Sequence, residues 1–400
     1  MRYKSVCDVE LSGKRVLLRV DYNVPINSLG EVVDDTRIVS SIPTIDYLLK
    51  KSAMVILCSH LGRPNGVRVK SLSLEIILPV LMDYLNNRNI MFTDDCYGDK
   101  AIDLTNSMKP KQIIVLENTR FWSGETNNGF SMAKGLADLA DIFVNDAFGV
   151  AHRAHSSTVG VARFLPSVAG LLLDKELTYL ERVMTKPDRP FVVILGGAKI
   201  SDKVGVVEKL IDHADCVLVG GAMANTFLKS TGIEVAESLV EESAIDTAYQ
   251  LLARAGDKFI LPEDVVVANA MEVGADKVCM DVENGVDNGY RIVDIGSETI
   301  KLFSKHIARA KMIFWNGPMG AFEIPDFACG TNAIARSVAD SDAVSIVGGG
   351  DSASAVRQSG YHNHISHIST GGGAALEMLN GNILPAVEVL DRICQTNLSN

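Results

Sequence analysis

Apolar residues in this chain fall in short runs, and most runs end at a polar or glycine-rich turn. In the first half the runs of strand length are 15–20 (RVLLRV), 53–58 (AMVILC), 112–116 and 141–144. They are rich in β-branched and aliphatic residues, the composition of strands buried on both faces. Between them, 36–50 and 73–87 carry apolar residues at helical spacing. Strand and helix in alternation predict a parallel sheet with right-handed crossovers. Segment 169–185 (AGLLLDKELTYLERVMT) predicts a helix of about four turns that ends at Lys186-Pro187-Asp188 and links two halves. The second half opens with a strand at 191–195, the pair Gly196-Gly197 and a helix expected over 198–212. The same strand–glycine–helix junction recurs at 216–227 (CVLVGGAMANTF), after Met312 (MIFWNGPMG), at 343–355 and at 365–376. The turn-rich, polar stretch 281–297 reads as a surface excursion with no assigned chemistry.

The expected fold class is therefore α/β: two doubly wound parallel-sheet domains facing each other across a cleft, joined by a linker helix. The boundaries are 1–170 for the first domain, 171–186 for the helix and 187–379 for the second domain. A length of 400 residues fits two domains better than one core. At 47% hydrophobic and 22% charged, the composition is that of an ordinary globular protein. No apolar run approaches a membrane span, and MRYKSVCDVE lacks an apolar signal core, so a cytoplasmic location is expected. The cysteines, Cys7, Cys58, Cys96, Cys216, Cys279, Cys329 and Cys394, stand singly, which argues for reduced thiols over disulfides or a zinc site. A net charge of −11 disfavours nucleic acid or an anionic membrane as the main partner, yet leaves room for a local cationic cluster.

Such clusters are present. Ligands of doubly wound sheets gather beyond the carboxyl ends of the strands. In the first half those ends carry His60, Arg63, Arg120, His152, Arg153 and His155, with Asp21 and Asn23, and Arg37 joins them from the start of a helix. Any one arginine is most simply a surface ion pair, but four make a pocket for a small, multiply charged anion. In the second half Lys199 and Lys203 are expected four residues apart on the first turns of a helix, beside unpaired backbone N–H groups. The bland alternative sends both lysines into water; an anion between them relieves their mutual repulsion. The recurring glycine turns argue for a nucleotide lying across the sheet edge, with Asp351 and Glu323 available for hydroxyls or a metal-bound phosphate. Trp122 and Trp315 are read as packing. An anion pocket opposite a nucleotide pocket suggests phosphoryl transfer, in which Arg37, Lys199, Lys203 and the helix start after Gly371-Gly372-Gly373 surround the moving group. Mg²⁺ would bridge the nucleotide phosphates, and domain closure about the linker would exclude water.

The motifs RVDYNVP from Arg19, DDTRI from Asp34, SHLGRP from Ser59, ENTRF from Glu117 and NDAFGVAHRAHSSTVG from Asn145 stand in one order with AGLLLDKEL from Ala169, LGGAKISDK from Leu195, GGAMANTFL from Gly220, WNGPMGAFE from Trp315, GGGDSA from Gly348 and STGGGA from Ser369. The sequence resembles the phosphoglycerate kinases. That resemblance implies transfer of phosphate between 1,3-bisphosphoglycerate and ADP, giving 3-phosphoglycerate and ATP with Mg²⁺. It implies that Asp21, Asn23, Arg37, His60, Arg63, Arg120 and Arg153 hold the phosphoglycerate. Arg37 and Lys203, with Gly372 and Gly373, would stabilise the transferred group. Gly197, Ala198, Lys199, Lys203, Gly221, Asn316, Glu323, Gly349, Gly350, Asp351 and Ser352 would form the nucleotide site, with Asp351 serving the metal. The acceptor is a carboxylate that is already ionised, so no general base is needed. The resemblance further implies a monomer whose tail, 380–400, returns to the first domain. Departures include Asn382, where a lysine is usual, and Ala386, where a glycine is. A nicotinamide-dependent dehydrogenase would want G-x-G-x-x-G after a strand, which GGGDSASAV and STGGGAAL do not match. A catalytically silent nucleotide-binding scaffold would be expected to have lost Lys203 or Arg37, and both are present.

Overall fold

Residues 3–86, 88–201 and 203–392 are described by a computed structural model of the chain. The last eight positions, Cys394 among them, lie outside the described residues, as does Asn87 at the end of one expected helix. Contacts divide the chain into two compact units, 3–178 with 382–392, and 179–381.

The first unit contains β1 (Arg15–Arg19), α1 (Thr36–Lys50), β2 (Met54–Cys58), α2 (Leu78–Tyr84), β3 (Ile90–Phe92), α3 (Asp99–Asn106), β4 (Ile113–Val115), α4 (Phe130–Asp138), β5 (Ile142–Asn145) and β6 (Ser167–Ala169). The sheet order is β3-β4-β2-β1-β5-β6, and every pairing is parallel. Side chains alternate across it. Val16 and Leu18 join one core with Ile38, Ile45 and Leu48 of α1 and Leu81 of α2, while Leu17 joins another with Ala101 of α3 and Met132 and Leu136 of α4. Both faces are covered, which is why these strands read as continuous apolar runs. The expected helix at 73–87 begins instead as a 3-10 turn, Leu74–Ile77, that runs into α2. The tail returns by hydrogen bonds: Lys4 N donates to Asp391 O at 2.7 Å, Asp391 N to Ser167 O at 2.8 Å and Ala386 N to Ala151 O at 3.1 Å. Ala386 is fully buried there.

Helix α5 (Leu171–Thr185) is continuous through residues 178 and 179, where the two units divide. Its start is held by Asp146, whose carboxylate accepts from Leu172 N at 2.8 Å and Leu173 N at 3.1 Å.

The second unit comprises β7 (Phe191–Leu195), α6 (Val204–His213), β8 (Cys216–Val219), α7 (Gly221–Ser230), α8 (Ile245–Ala255), β9 (Phe259–Ile260), β10 (Asp264–Ala268), β11 (Lys277–Asp281), β12 (Arg291–Ile295), α9 (Ser297–Ile307), β13 (Met312–Asn316), α10 (Cys329–Ala339), β14 (Val344–Gly348), α11 (Gly350–Gln358), β15 (His367–Ile368) and α12 (Gly372–Leu379). Its main sheet has the order β15-β14-β13-β7-β8-β9, again all parallel. Val192, Ile194, Leu218, Ile313, Trp315 and Val347 pack on α9, α10 and α11 through Phe303, Ile334 and Val356. Helix α6 buries Val206, Val207, Leu210 and Ile211.

Two expectations are corrected. The stretch 281–297 is a surface excursion only in its first half: residues 281–290 are mostly exposed, but β12 pairs antiparallel with β10 in a three-stranded sheet of order β11-β10-β12, and Val293, Asp294 and Ile295 are buried. The helix expected from 198 begins only at Val204, with Lys203 as its N-cap residue. Gly197 takes a left-handed φ of +84°, which turns the chain away from the helical path. No helix among the described residues is long and apolar enough to cross a membrane.

Candidate active site

The carboxyl ends of β1, β2, β4 and β5 bring the predicted arginine cluster together. Arg63, Arg120 and Arg153 line a cavity of about 230 Å³ with Asn65, Gly66, Trp122 and Thr126. Asp21, Asn23, Arg37 and His60 lie outside that lining, and Gly62 links Asn23 to it. Gly62 N donates to Asn23 Oδ1 at 2.8 Å, and Gly62 O accepts from Arg120 Nη1 at 2.7 Å. Arg37 Nη1 donates to Asp21 Oδ2 and to Asn23 O, both at 3.0 Å. Arg37 stands at the second position of α1, and Thr36 N is held by Asp34 Oδ1 at 2.9 Å. Trp122 is more than packing: it lines the cavity and lies under the Arg68 guanidinium at 5.0 Å.

Beneath this surface lies a layer that sequence reasoning missed. Arg19, fully buried, donates from Nε to Ser157 Oγ at 2.8 Å, and its Nη2 lies 3.1 Å from His60 Nδ1. Ser157 donates in turn to the buried Glu125 carboxylate, from Oγ at 2.6 Å and from N at 3.1 Å. Guanidinium groups only donate, so His60 Nδ1 accepts and its proton sits on Nε2. Burial, followed by repulsion from Arg19, Arg120 and Arg37, drives the His60 pKa well below the usual histidine range. Burial also lowers His155, to about 4, against the pull of Glu125. The positive charge of the pocket is therefore arginine charge. Arg120 itself is pulled down to about 10 by burial, with Arg153 and Arg19 adding repulsion, and stays protonated at neutral pH. The signal for Arg19 was present: it continues the Leu17 face of β1 two residues on, at the strand's carboxyl end.

The second unit gathers its residues at the matching end of its own sheet. A cavity of about 380 Å³ is lined by Gly197, Ala198, Lys199, Lys203, Asn316, Gly317, Gly349, Gly350, Asp351, Ser352, Gly372 and Leu376. A second cavity of about 650 Å³ shares Gly197, Ala198 and Asp351 with it and adds Gly221, Glu323 and apolar walls that include Val240, Val265 and Met319. Gly373 lies in the first turn of α12 but outside both linings. Trp315 is buried and donates from Nε1 to Gly317 O at 2.7 Å, so its indole pins a turn. Asn316 Nδ2 donates to Gly348 O at 2.8 Å, and Ser352 Oγ accepts from Gly317 N at 2.6 Å.

The phosphate-loop expectation needs revision in two respects. Lys199 sits on the loop and Lys203 at the N-cap of α6, so they do not share a helical face. Lys203 Nζ lies 3.3 Å from Gly196 O. The backbone N–H groups of Ile200 and Ser201 are already taken: both donate to Glu241 Oε2, at 2.7 and 3.2 Å, and Ser201 Oγ donates to Glu241 Oε1. The helix starts of α11 and α12, whose first N–H groups have no partner within their own helix, lie instead where Gly350 and Gly372 line the cavity.

Two separate cationic clefts, one arginine-lined and small, one lysine- and glycine-lined with an apolar annex, suit a small polyanion and a nucleotide respectively. The family model described as Phosphoglycerate kinase matches residues 6–382. A phosphoglycerate kinase from Pseudothermotoga lettingae is 48% identical over 390 residues, covering 97% of this chain and 98% of the relative. One from Rubrobacter xylanophilus is 50% identical over 390 residues, covering 98% of each. The solved structure of phosphoglycerate kinase from Coxiella burnetii superposes with a TM-score of 0.87 at 39% identity, covering 97% of this chain and 98% of that one. That from Pyrococcus horikoshii gives 0.85 at 32% identity, with the same coverage.

Proposed function

Because the chain belongs to the phosphoglycerate kinase family, and so catalyses reversible phosphoryl transfer from 1,3-bisphosphoglycerate to ADP in glycolysis, we propose a division of labour between its two units. Residues 1–170 bind the phosphoglycerate and 187–379 the nucleotide, with 171–186 as the linker. The Arg63, Arg120 and Arg153 cavity holds the phosphoglycerate phosphate by paired charge-assisted hydrogen bonds. Asp21, Asn23 and Arg37 orient the carboxyl end, and His60 offers a neutral donor from Nε2. On the nucleotide side, Gly221 and the apolar walls of the larger cavity take the base, with Glu323 at the ribose. Lys199 and the starts of α11 and α12 take the phosphates. Arg37, Lys203 and the backbone at Gly372 and Gly373 stabilise charge on the moving phosphoryl group.

The observation that carries this reading is the make-up of the 380 Å³ cavity: two lysines, two helix starts and a single carboxylate converge on one space. The lone carboxylate fits Mg²⁺, which is commonly held by one or two protein carboxylates, substrate phosphates and water. Among the described residues no cluster of three or more His, Cys, Asp or Glu is placed to hold a metal. Asp351 would therefore hold the ion as the magnesium–nucleotide complex. Mg²⁺ held there would supply positive charge against the nucleotide phosphates. The substrate carboxylate attacks without deprotonation, so the protein's own work is to orient the two substrates, supply positive charge and exclude water. We read the protein as a cytoplasmic monomer whose units close about α5.

The test is a split in Michaelis constants. Arg120→Ala raises KM for 3-phosphoglycerate at least about tenfold and leaves KM for ATP unchanged; Lys199→Ala does the reverse. Turnover stops on chelation of Mg²⁺. Parallel shifts of both constants in either variant would overturn the division.

A further inference from the structure

Glu241 lies in neither cavity lining, yet it holds the loop that carries both lysines. Its carboxylate takes two successive backbone N–H groups, Ile200 and Ser201, and the Ser201 hydroxyl. Its own N–H donates to Thr226 Oγ1 at 3.0 Å, and Thr226 is a fully buried residue of α7. The other end of the same loop is tied to the same helix, since Met223 N donates to Gly197 O at 2.7 Å. Thus α7 anchors residues 197–201 at both ends, once through a backbone bond and once through the Glu241 carboxylate. Just downstream, Lys203 N donates to Ile200 O at 2.8 Å, so the position of Ile200 is passed on to Lys203. The paired N–H groups of a loop at a helix start are the usual seat of a bound anion. Here a side chain of the protein occupies that seat.

We propose that Glu241 is a positioning residue of the nucleotide site: by filling the anion seat of the 197–203 loop it fixes Lys199 and Lys203 and leaves phosphate recognition to their side chains. The inference rests on the reading of these lysines as phosphate ligands. Burial opposes the charge of Glu241, but the Ser201 and Ile200 donors and the nearby Lys199 outweigh it, so the carboxylate stays ionised at neutral pH.

The experiment uses the full chain with Glu241→Ala, Glu241→Gln and Lys199→Ala, each checked for folding by thermal melting. Initial rates are taken against ATP and 3-phosphoglycerate, with inorganic phosphate as inhibitor. In Glu241→Ala, KM for ATP rises about tenfold, KM for 3-phosphoglycerate stays constant, and inorganic phosphate becomes a stronger competitor of ATP than in wild type because two N–H donors are released. Glu241→Gln, which keeps an acceptor oxygen, recovers most of the lost ATP affinity. An unchanged KM for ATP in Glu241→Ala, or phosphate inhibition no stronger than wild type, overturns the proposal. If Lys199→Ala raises KM for ATP while Glu241→Ala does not, only the positioning role falls; if neither does, the phosphate-lysine reading falls with it.

Discussion

Gly317 and Gly350 lack a side chain for opposite reasons, and sequence cannot tell them apart. At Gly317 φ is +106°, and a Cβ would lie 2.1 Å from the backbone of Gly196, so the fold itself demands glycine. At Gly350 φ is not in the left-handed region and a Cβ would meet no protein atom within 4 Å. Yet Gly350 lines the 380 Å³ cavity at the first position of α11. Its missing Cβ is space that the protein leaves open, which is what a phosphate needs to approach the helix start. Gly350→Ala is therefore expected to keep or slightly raise the melting temperature, since alanine is favoured over glycine in a helix by about 0.5–1 kcal/mol, while raising KM for ATP about tenfold. Gly317→Ala is expected to lose about 2 kcal/mol or more of stability. Thermal melts beside initial rates separate the two, and a Gly350→Ala with native ATP affinity would show that no phosphate reaches that helix end. Arg63, Arg120 and Arg153 were legible because each follows an apolar run beyond its carboxyl end, and Arg37 because it opens a helix after the Asp34-Asp35-Thr36 turn. Arg19 was not, because it lies inside its run and is recognised only once strand parity assigns it to the face that holds Glu125.

Among the elements, those with the longest runs were read most closely: α1 runs over the predicted 36–50, and β7 over 191–195. The strands missed were β3, β6 and β9, of two or three residues, too short to show a period. The sheet of β10, β11 and β12 was missed for another reason. Strand β11 is almost wholly exposed, and β12 carries an aspartate as its fourth residue. That aspartate is the element's structural key. The register of β12 against β10 slips between Val266 and Val267, a bulge of the kind that re-aims side chains. Asp294 accepts from Gly330 N at 2.6 Å, in the first turn of α10, and from Ile295 N at 2.9 Å. Gly320 and Gly330 have no Cβ because one would lie 2.5 or 2.3 Å from its carboxylate. Burial, against these donors and Lys277, raises the Asp294 pKa from 3.8 to about 7. The folded state thus holds this proton more tightly than the unfolded state, and unfolding releases it between pH about 4 and about 7. The contribution of Asp294 to stability is largest below that window and is lost as pH rises through it. Urea unfolding of wild type and Asp294→Asn across about pH 5 to 8 is expected to show wild type losing ground to the variant as pH rises. Parallel curves would mean that Asp294 does not titrate in this window.

At the scale of the whole molecule, the chain crosses between units at residues 178–179, inside α5, and again at 381–382. Gly381, with φ of +79°, sits at the second crossing. The first crossing is a helix and the second a glycine turn, so neither is a long linker. Phosphoryl transfer to a carboxylate competes with transfer to water, and only an enclosed ternary complex suppresses the second reaction. A unit that binds one substrate alone gains nothing by closing. The free energy for closure has to come from interactions made only when both substrates are present, because a ligand shifts a conformational equilibrium no further than its differential affinity allows. Small-angle scattering should accordingly show a smaller radius of gyration with 3-phosphoglycerate and a non-hydrolysable Mg²⁺–ATP analogue together than with either alone. ATP hydrolysis without 3-phosphoglycerate should remain negligible beside transfer. An unchanged radius in a complex saturated with both ligands would place the exclusion of water within the separate cavities, and the hinge role of α5 and Gly381 would be abandoned. Compaction with nucleotide alone would instead assign the closing force to the lysine and glycine cavity, and such an enzyme would have to tolerate hydrolysis whenever its acceptor is scarce.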